Sequence, residues 1–248
     1  MLMYISDISS SKETMSQTIN DNLITSGILS RLLINYGQIQ DISLMSGKMG
    51  GVLFFMAYAR KTGISAYCDF CDELLDDIYN HIHQGMPIGL FEGLTGIGWG
   101  IEYLLKNGYA DGAVDEILND IDNLVVEHDP QRMTDLSLES GLGGVLFYVN
   151  SRLQYGENRS LNTPFDLSYI ASLSKAIHRP SFLDISSCNS MVKDYDSIIQ
   201  GRLDNEQKCM CIPDFMFEGV PDNLENLQNL PIGIKRGLTG YALRMILK

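Results

Sequence analysis

Apolar and polar positions along the chain fall into two kinds of helical segment that alternate. In 67–82 the apolar residues Tyr67, Phe70, Cys71, Leu74, Leu75, Ile78, Tyr79 and Ile82 recur at i, i+3, i+4 and i+7. Asp69, Asp72, Glu73, Asp76 and Asp77 take the opposite face, so the spacing predicts a helix with one wet side. Segment 114–125 repeats this with Val114, Ile117, Leu118, Ile121, Leu124 and Val125, and 167–177 does so with Leu167, Ile170, Leu173 and Ile177. The runs Val52–Ala59 and Val145–Val149 are instead apolar nearly all round. A helix of that kind is buried on every side.

Each fully apolar run follows a G-x-x-G. Copies occur at Ser46-Gly47-Lys48-Met49-Gly50, Glu92-Gly93-Leu94-Thr95-Gly96, Ser140-Gly141-Leu142-Gly143-Gly144 and Arg236-Gly237-Leu238-Thr239-Gly240. The first glycines, at 47, 93, 141 and 237, are separated by 46, 48 and 96 residues, the last interval being two periods of 48. A fifth, degraded copy is therefore expected near residue 189, where Cys188-Asn189-Ser190-Met191-Val192 opens another apolar-periodic stretch. A repeat of this length built from two helices predicts an all-α protein in which inner, buried helices are ringed by outer, acidic-faced ones. The expected architecture is an α/α toroid of about five helical hairpins, closed or C-shaped, forming one domain over 1–248 with residues 1–13 peripheral. An open solenoid of HEAT-like pairs is the alternative. Pro213, Pro221 and Pro231 make the last outer helix short or replace it by loop.

Glycine at the start of each inner helix admits positive φ in the turn and close approach of backbones. If every inner helix starts this way, their N-termini share one end of the ring and present unpaired N–H groups there, suited to a carboxylate, thiolate or phosphate. Helices about 8–10 Å apart leave five of them little lumen beyond side chains, so a site would be a shallow bowl at the mouth. Its rim would carry the residue before each first glycine: Ser46, Glu92, Ser140, Arg236 and, in the degraded copy, Cys188. Lys48, Thr95, Thr239 and Trp99, the only tryptophan, would stand nearby. Plainer roles exist for these residues: Glu92 and Arg236 paired with each other, Ser46 and Ser140 as helix caps, Trp99 as packing.

Charge and cysteines narrow the partners. Acidic residues outnumber basic ones by 31 to 18, a formal charge of −13, which argues against nucleic acid and against an anionic membrane surface. No apolar run approaches the roughly 20 residues of a spanning helix, and the first residues lack a signal-peptide pattern, so the expected location is cytoplasmic. The five cysteines, Cys68, Cys71, Cys188, Cys209 and Cys211, read as reduced thiols. Cys68 and Cys71 share one face of a predicted helix and read as structural. Cys209 and Cys211 sit in a loop with no histidine at a familiar zinc spacing.

A ring of buried helices, each opening with G-x-x-G, resembles the lanthionine synthetase C-like family, the zinc-dependent cyclases of lanthipeptide biosynthesis and their relatives. The resemblance rests on Gly93-Leu94-Thr95-Gly96-Ile97-Gly98, Ser140-Gly141-Leu142-Gly143-Gly144-Val145 and Gly237-Leu238-Thr239-Gly240-Tyr241-Ala242-Leu243, and it runs from about residue 20 to the C-terminus. It implies the toroid fold, here shortened from the family's usual seven inner helices. Active members bind zinc through W-C-x-G and C-H-G motifs at the starts of inner helices, and the metal turns a peptide thiol into a thiolate that adds to a dehydrated Ser or Thr. Neither motif occurs here, and none of His81, His83, His128 or His178 opens a glycine motif.

The first functional expectation is therefore a metal-free relative without catalytic residues, binding a peptide or protein at the bowl within a peptide-modification system. The alternative is a zinc-dependent cyclase with non-standard ligands such as Cys188, Cys209 and Cys211. A glycosidase or lyase would need two acids facing one cavity, of which Glu92 is the only one the sequence places; a pure scaffold would have no ligand. An unclosed ring would also expose apolar flanks that a second copy could cover, giving a homodimer.

Overall fold

A computed structural model describes residues 27–155, 165–202, 209–221 and 229–247, and among them there are helices and no strands. The peripheral segment expected over 1–13 lies outside the described residues. Helical residues 27–36 (α1) are followed by α2 (Lys48–Thr62), α3 (Ala66–His81), α4 (Leu94–Lys106), α5 (Val114–Ile117) and α6 (Asn119–Val126). Then come α7 (Leu142–Tyr155), α8 (Leu167–Ile177), α9 (Pro180–Leu183), α10 (Asn189–Ile199) and α11 (Leu238–Leu247). None is long and apolar enough to cross a membrane.

The inner helices stand in the order α11, α2, α4, α7, α10, each packed on the next, with α3 against α2, α6 against α4 and α8 against α7 on the outside. From Lys48 to Ala57 every residue of α2 is buried; the apolar run that starts at Val52 predicts this for all but the first residues. Small residues set the spacing on both flanks of α4: Gly98 faces the Tyr148 ring of α7 and Gly100 faces Met49 of α2, each leaving no room for a Cβ. Residues 230–239 contact α1. The α1 residue Tyr36 shares a 2.7 Å hydrogen bond with Thr239 of α11, and Arg31 donates to the Leu230 carbonyl at 2.6 Å. The last copy thus packs on the first, as in a toroid and unlike a solenoid stacked in chain order.

Three departures from the expected hairpins are instructive. The outer segment 114–125 is two helices, α5 and α6, broken at Leu118. In α8 the buried face is Tyr169, Leu173, Ala176 and Ile177, and Leu167 is 80% exposed, because the helix starts there behind its Asp166 cap. Between α10 and α11 the described residues hold no outer helix; a short 3₁₀ turn, Asp214–Phe217, packs on α11, as the prolines imply.

Candidate functional site

The four glycine copies build one loop four times. In each, the N–H after the first glycine donates to the carbonyl seven residues earlier: Lys48 to Asp41, Leu94 to Pro87, Leu142 to Asp135 and Leu238 to Pro231, at 2.8–2.9 Å. The next N–H is taken the same way by Thr95 on Ile88 and Thr239 on Ile232, while Gly143 donates to Ser137. Thr95 and Thr239 add their buried hydroxyls to the same carbonyls. Both glycines lie flat on this fold-back. A Cβ on Gly93 would come 2.1 Å from the Pro87 oxygen, and one on Gly96 would come 1.9 Å from the Leu90 oxygen. Their purpose is close approach alone, because φ is −107° at Gly47 and −140° at Gly93, and no glycine of the four motifs has a positive φ.

This corrects the expectation of an anion site at the mouth. The first N–H groups of the four glycine-led inner helices are spent on loop carbonyls, so among the described residues these helix starts offer no cluster of free donors. The same geometry exposes a longer repeat than G-x-x-G: Asp41-Ile42-Ser43-Leu44, Pro87-Ile88-Gly89-Leu90, Asp135-Leu136-Ser137-Leu138 and Pro231-Ile232-Gly233-Ile234 precede the four motifs at identical spacing. In the first and third copies an aspartate accepts from the serine two residues on, Asp41 from Ser43 at 2.8 Å and Asp135 from Ser137 at 2.9 Å. The second and fourth replace that turn with Pro-x-Gly. Their glycines are pressed on the neighbouring loop, Gly89 on Ser140 and Gly233 on Met45.

Neighbouring loops are stitched by backbone. Ile234 donates to Met45, Met45 to Phe91, and Phe91 to Glu139, at 2.7, 3.1 and 2.9 Å. The four inner helices therefore begin side by side and run the same way, with the loops ahead of Gly47, Gly93, Gly141 and Gly237 adjacent at one mouth. There Lys235 bridges to Glu139 at 2.5 Å with its ammonium 4.6 Å from the centre of the Phe91 ring. Beside them a depression of about 230 Å³ is lined by Phe91, Glu92, Glu139 and Ser140 among others.

Of the residues singled out by sequence, Ser46, Glu92, Ser140 and Arg236 are exposed on these adjacent loops. Glu92 and Arg236 do not pair with one another; the pair across the mouth is Lys235–Glu139. Ser46 and Ser140 are not helix caps: the cap position of α2 is Gly47, with no side-chain bond, and the Ser140 hydroxyl donates to Asp135 at 2.6 Å. That bond and those from Ser137 hold the Asp135 carboxyl below its ordinary pKa. Arg236 is the one non-glycine residue with positive φ among those described, at 56°, and its side chain lies against Gly219.

Lys48 and Trp99 leave the rim. Lys48 is buried and its ammonium bonds Asp77 of α3, tying an inner helix to its outer partner and holding the Asp77 carboxyl below its usual value. Trp99 is 2% exposed and packs on Tyr103 and Phe147, deeper in the ring. Cys188 also leaves the rim: it is fully buried at the end of the 3₁₀ turn Ser186–Cys188. The Asn150 side chain donates to the Met191 carbonyl at 2.8 Å. Since Asn150 is eight residues into α7 and Met191 is two residues into α10, α10 starts about 9 Å deeper than its neighbour. Sequence reasoning missed Phe91, Glu139 and Lys235. The signal lay in the ten-residue repeat, where all three stand two residues before a first glycine.

The implied zinc set does not fit. In W-C-x-G and C-H-G the ligands stand one or two residues before the glycine, and those places here hold Met45–Ser46, Phe91–Glu92, Glu139–Ser140 and Lys235–Arg236. The one acid engaged there, Glu139, already carries the Lys235 ammonium, which a metal cation would have to displace and then repel. Among the described residues no group of three or more His, Cys, Asp or Glu could hold a metal. Cys209 and Cys211 are exposed, and burial holds the Cys188 thiol above its ordinary pKa, away from the thiolate a metal needs. Cys68 and Cys71 sit on α3 as expected, with Cys71 buried and its thiol 3.7 Å from the Val52 carbonyl.

A family model described as lanthionine synthetase C-like protein matches residues 38–197. It covers the first three glycine copies and most of α10 and stops before the fourth, whose loop has the same bonds. No curated protein and no solved structure matches the chain.

Proposed function

The chain belongs to the lanthionine synthetase C-like family, and from that premise we propose that it binds a peptide, or an exposed segment of a protein, at the mouth of its ring without a metal. The observation that carries this reading is the Lys235–Glu139 pair laid across Phe91, at the positions where the resemblance puts metal ligands. A half-buried aromatic ring flanked by both signs of charge suits a chain with alternating apolar and polar side chains. The depression beside it admits one side chain, not a whole small substrate. With the helix N–H groups used internally, recognition falls to Phe91, Glu92, Glu139, Ser140 and Lys235. Only the family resemblance supports a role within a peptide-modification system.

The test is selection of a random peptide library on the immobilised full-length chain. Enriched peptides should bind about tenfold more weakly to Lys235→Gln and to Glu92→Ala, with thermal melting unchanged. Absence of enrichment, or binding indifferent to both substitutions, overturns the proposal. Elemental analysis of the purified chain addresses the cyclase alternative: about one zinc per chain, lost in Cys209→Ser with Cys211→Ser, would replace the metal-free reading.

A further inference from the structure

The end of the ring opposite the mouth carries the Cys209-Met210-Cys211 motif, which the reading of the mouth leaves unused. Met210 is 5% exposed, while the cysteines on either side of it are exposed. Asn107, just beyond the last residue of α4, holds Met210 by its backbone. The Asn107 Oδ1 accepts from the Met210 N–H and its amide nitrogen donates to the Met210 carbonyl, both at 3.1 Å. One planar amide meets the N–H and the C=O of a single residue only when both point to the same side, as they do in an extended residue and not in a helical one. Side chains of an extended chain alternate, so Met210 points into the ring and the Cys209 and Cys211 thiols point out together.

The other three cysteines are placed differently. Cys71 and Cys188 are buried, and burial raises both thiols above their ordinary pKa, which withholds the thiolate that reacts. Cys68 is half-buried on α3. Only Cys209 and Cys211 put two thiols in solvent within two residues of each other. The extended Met210 sets their Cα atoms about 6.7 Å apart, near the upper end of the roughly 4.4–6.8 Å that a disulfide bridges. Cys211 also lines two cavities, of about 650 Å³ toward α11 and about 290 Å³ toward α7 and α10, so a small group attached to its sulfur has room.

We propose that Cys209 and Cys211 form a redox-active dithiol that exchanges with small organic disulfides. The Cys211 thiolate attacks one sulfur of R–S–S–R; the S–S bond breaks, RS⁻ leaves, and Cys211 carries the other RS group. The Cys209 thiolate then attacks the Cys211 sulfur and expels that group as a second RS⁻, leaving a Cys209–Cys211 disulfide. The two cysteines give their protons to the two RS⁻ leaving groups and two electrons to the small disulfide, which is reduced to two thiols. Closure toward the commoner Cα separation of about 5.5–6 Å bends Met210 out of its extended form and breaks at least one of its bonds to Asn107. Asn107 therefore favours the reduced form, and oxidation loosens the hold of the ring on the segment from Met210 to Phe217. This site is separate from the mouth and does not rest on the peptide-binding reading.

The test incubates the reduced full-length chain with excess 2-hydroxyethyl disulfide at about pH 8 and follows free thiols and intact mass. Free thiols should fall from five to three, the mass should fall by two hydrogens with no hydroxyethylthio adduct, and dithiothreitol should reverse both changes. In Cys209→Ser, an exposed site whose substitution should leave the fold intact, the hydroxyethylthio group should stay on Cys211 because no second thiol removes it. Asn107→Ala should raise the equilibrium constant for oxidation about tenfold, since the reduced form loses two hydrogen bonds. A chain that keeps all its thiols, one that ends with a hydroxyethylthio group on each of Cys209 and Cys211, or an equilibrium constant unmoved in folded Asn107→Ala would overturn the proposal.

Discussion

The loop ahead of α4 and the turn ahead of α10 begin from related sequences and end in different structures. Pro87-Ile88-Gly89-Leu90 leads through Gly93 and Gly96 into a fold-back whose carbonyls cap the helix and whose edges join the neighbouring loops. Asp184-Ile185-Ser186 matches the start of the first copy, Asp41-Ile42-Ser43, but the glycine positions that follow are Ser190 and Lys193. There the chain takes a 3₁₀ turn, α10 begins deeper, and Cys188 is sealed where the other copies place mouth residues. At the glycine copies backbone packs on backbone; beside α10 a cavity with an orphaned Asn150 acceptor remains. Two missing side chains per copy thus decide whether a helix joins the mouth.

The most forceful way to break the contrast is Gly96→Val, whose Cβ would sit 1.9 Å from the Leu90 oxygen; it should cost at least about 4 kcal/mol by chemical denaturation. Lys193→Val, at the matching exposed position of α10, should change stability by no more than about 0.5 kcal/mol. Equal losses at the two sites would refute the distinction.

A second probe concerns the wall behind the cavity. Burial, only partly offset by Arg152 and Ser151, pushes the Glu102 carboxyl up to about 7 from an ordinary 4.5. Between those values the folded chain holds a proton that the unfolded chain has released. Stability should therefore fall as pH rises through this window, with a slope of at most about 1.4 kcal/mol per pH unit. In Glu102→Gln the slope from this group should vanish, as denaturation midpoints between pH 5 and 7 would show. Two other carboxylates contribute the opposite sign: Asp77 on α3 and Asp135 at the mouth, held low by Lys48 and by Ser140 and Ser137, add stability that is lost only as pH falls into the acid range.

The smallest expected effect is a gain. Arg236 holds a left-handed conformation at φ 56°, so Arg236→Gly should raise stability by about 0.5–1 kcal/mol. Peptide binding at the mouth should change little if Lys235 and Phe91 dominate it.

Much of the fold was legible because its signals are local. Apolar residues at helical spacing placed α3 and α8, and the all-apolar runs after glycine placed α2 and α7 inside. The interval between glycines foretold the ring and the parallel start of its inner helices. The site was less legible. Ser46, Glu92, Ser140 and Arg236 lie on adjacent loops, since each precedes a repeated motif. Lys48 was misplaced because its i+1 position says nothing about α3, whose Asp77 draws it outward. The supposed free N–H groups were lost because a helix start cannot reveal which upstream carbonyl folds onto it.

The sequence alone determined that helices of two kinds alternate and that four of them start with close-packing glycines, since periodicity and the missing Cβ act within a turn or two of their own position. Only the tertiary structure decided that Lys235 meets Glu139 over Phe91, that α10 sinks below the mouth, and that Asn150 keeps an acceptor without a partner. Those outcomes depend on contacts between residues 41 to 144 positions apart, and such contacts are chosen by how the whole ring packs and not by any one segment.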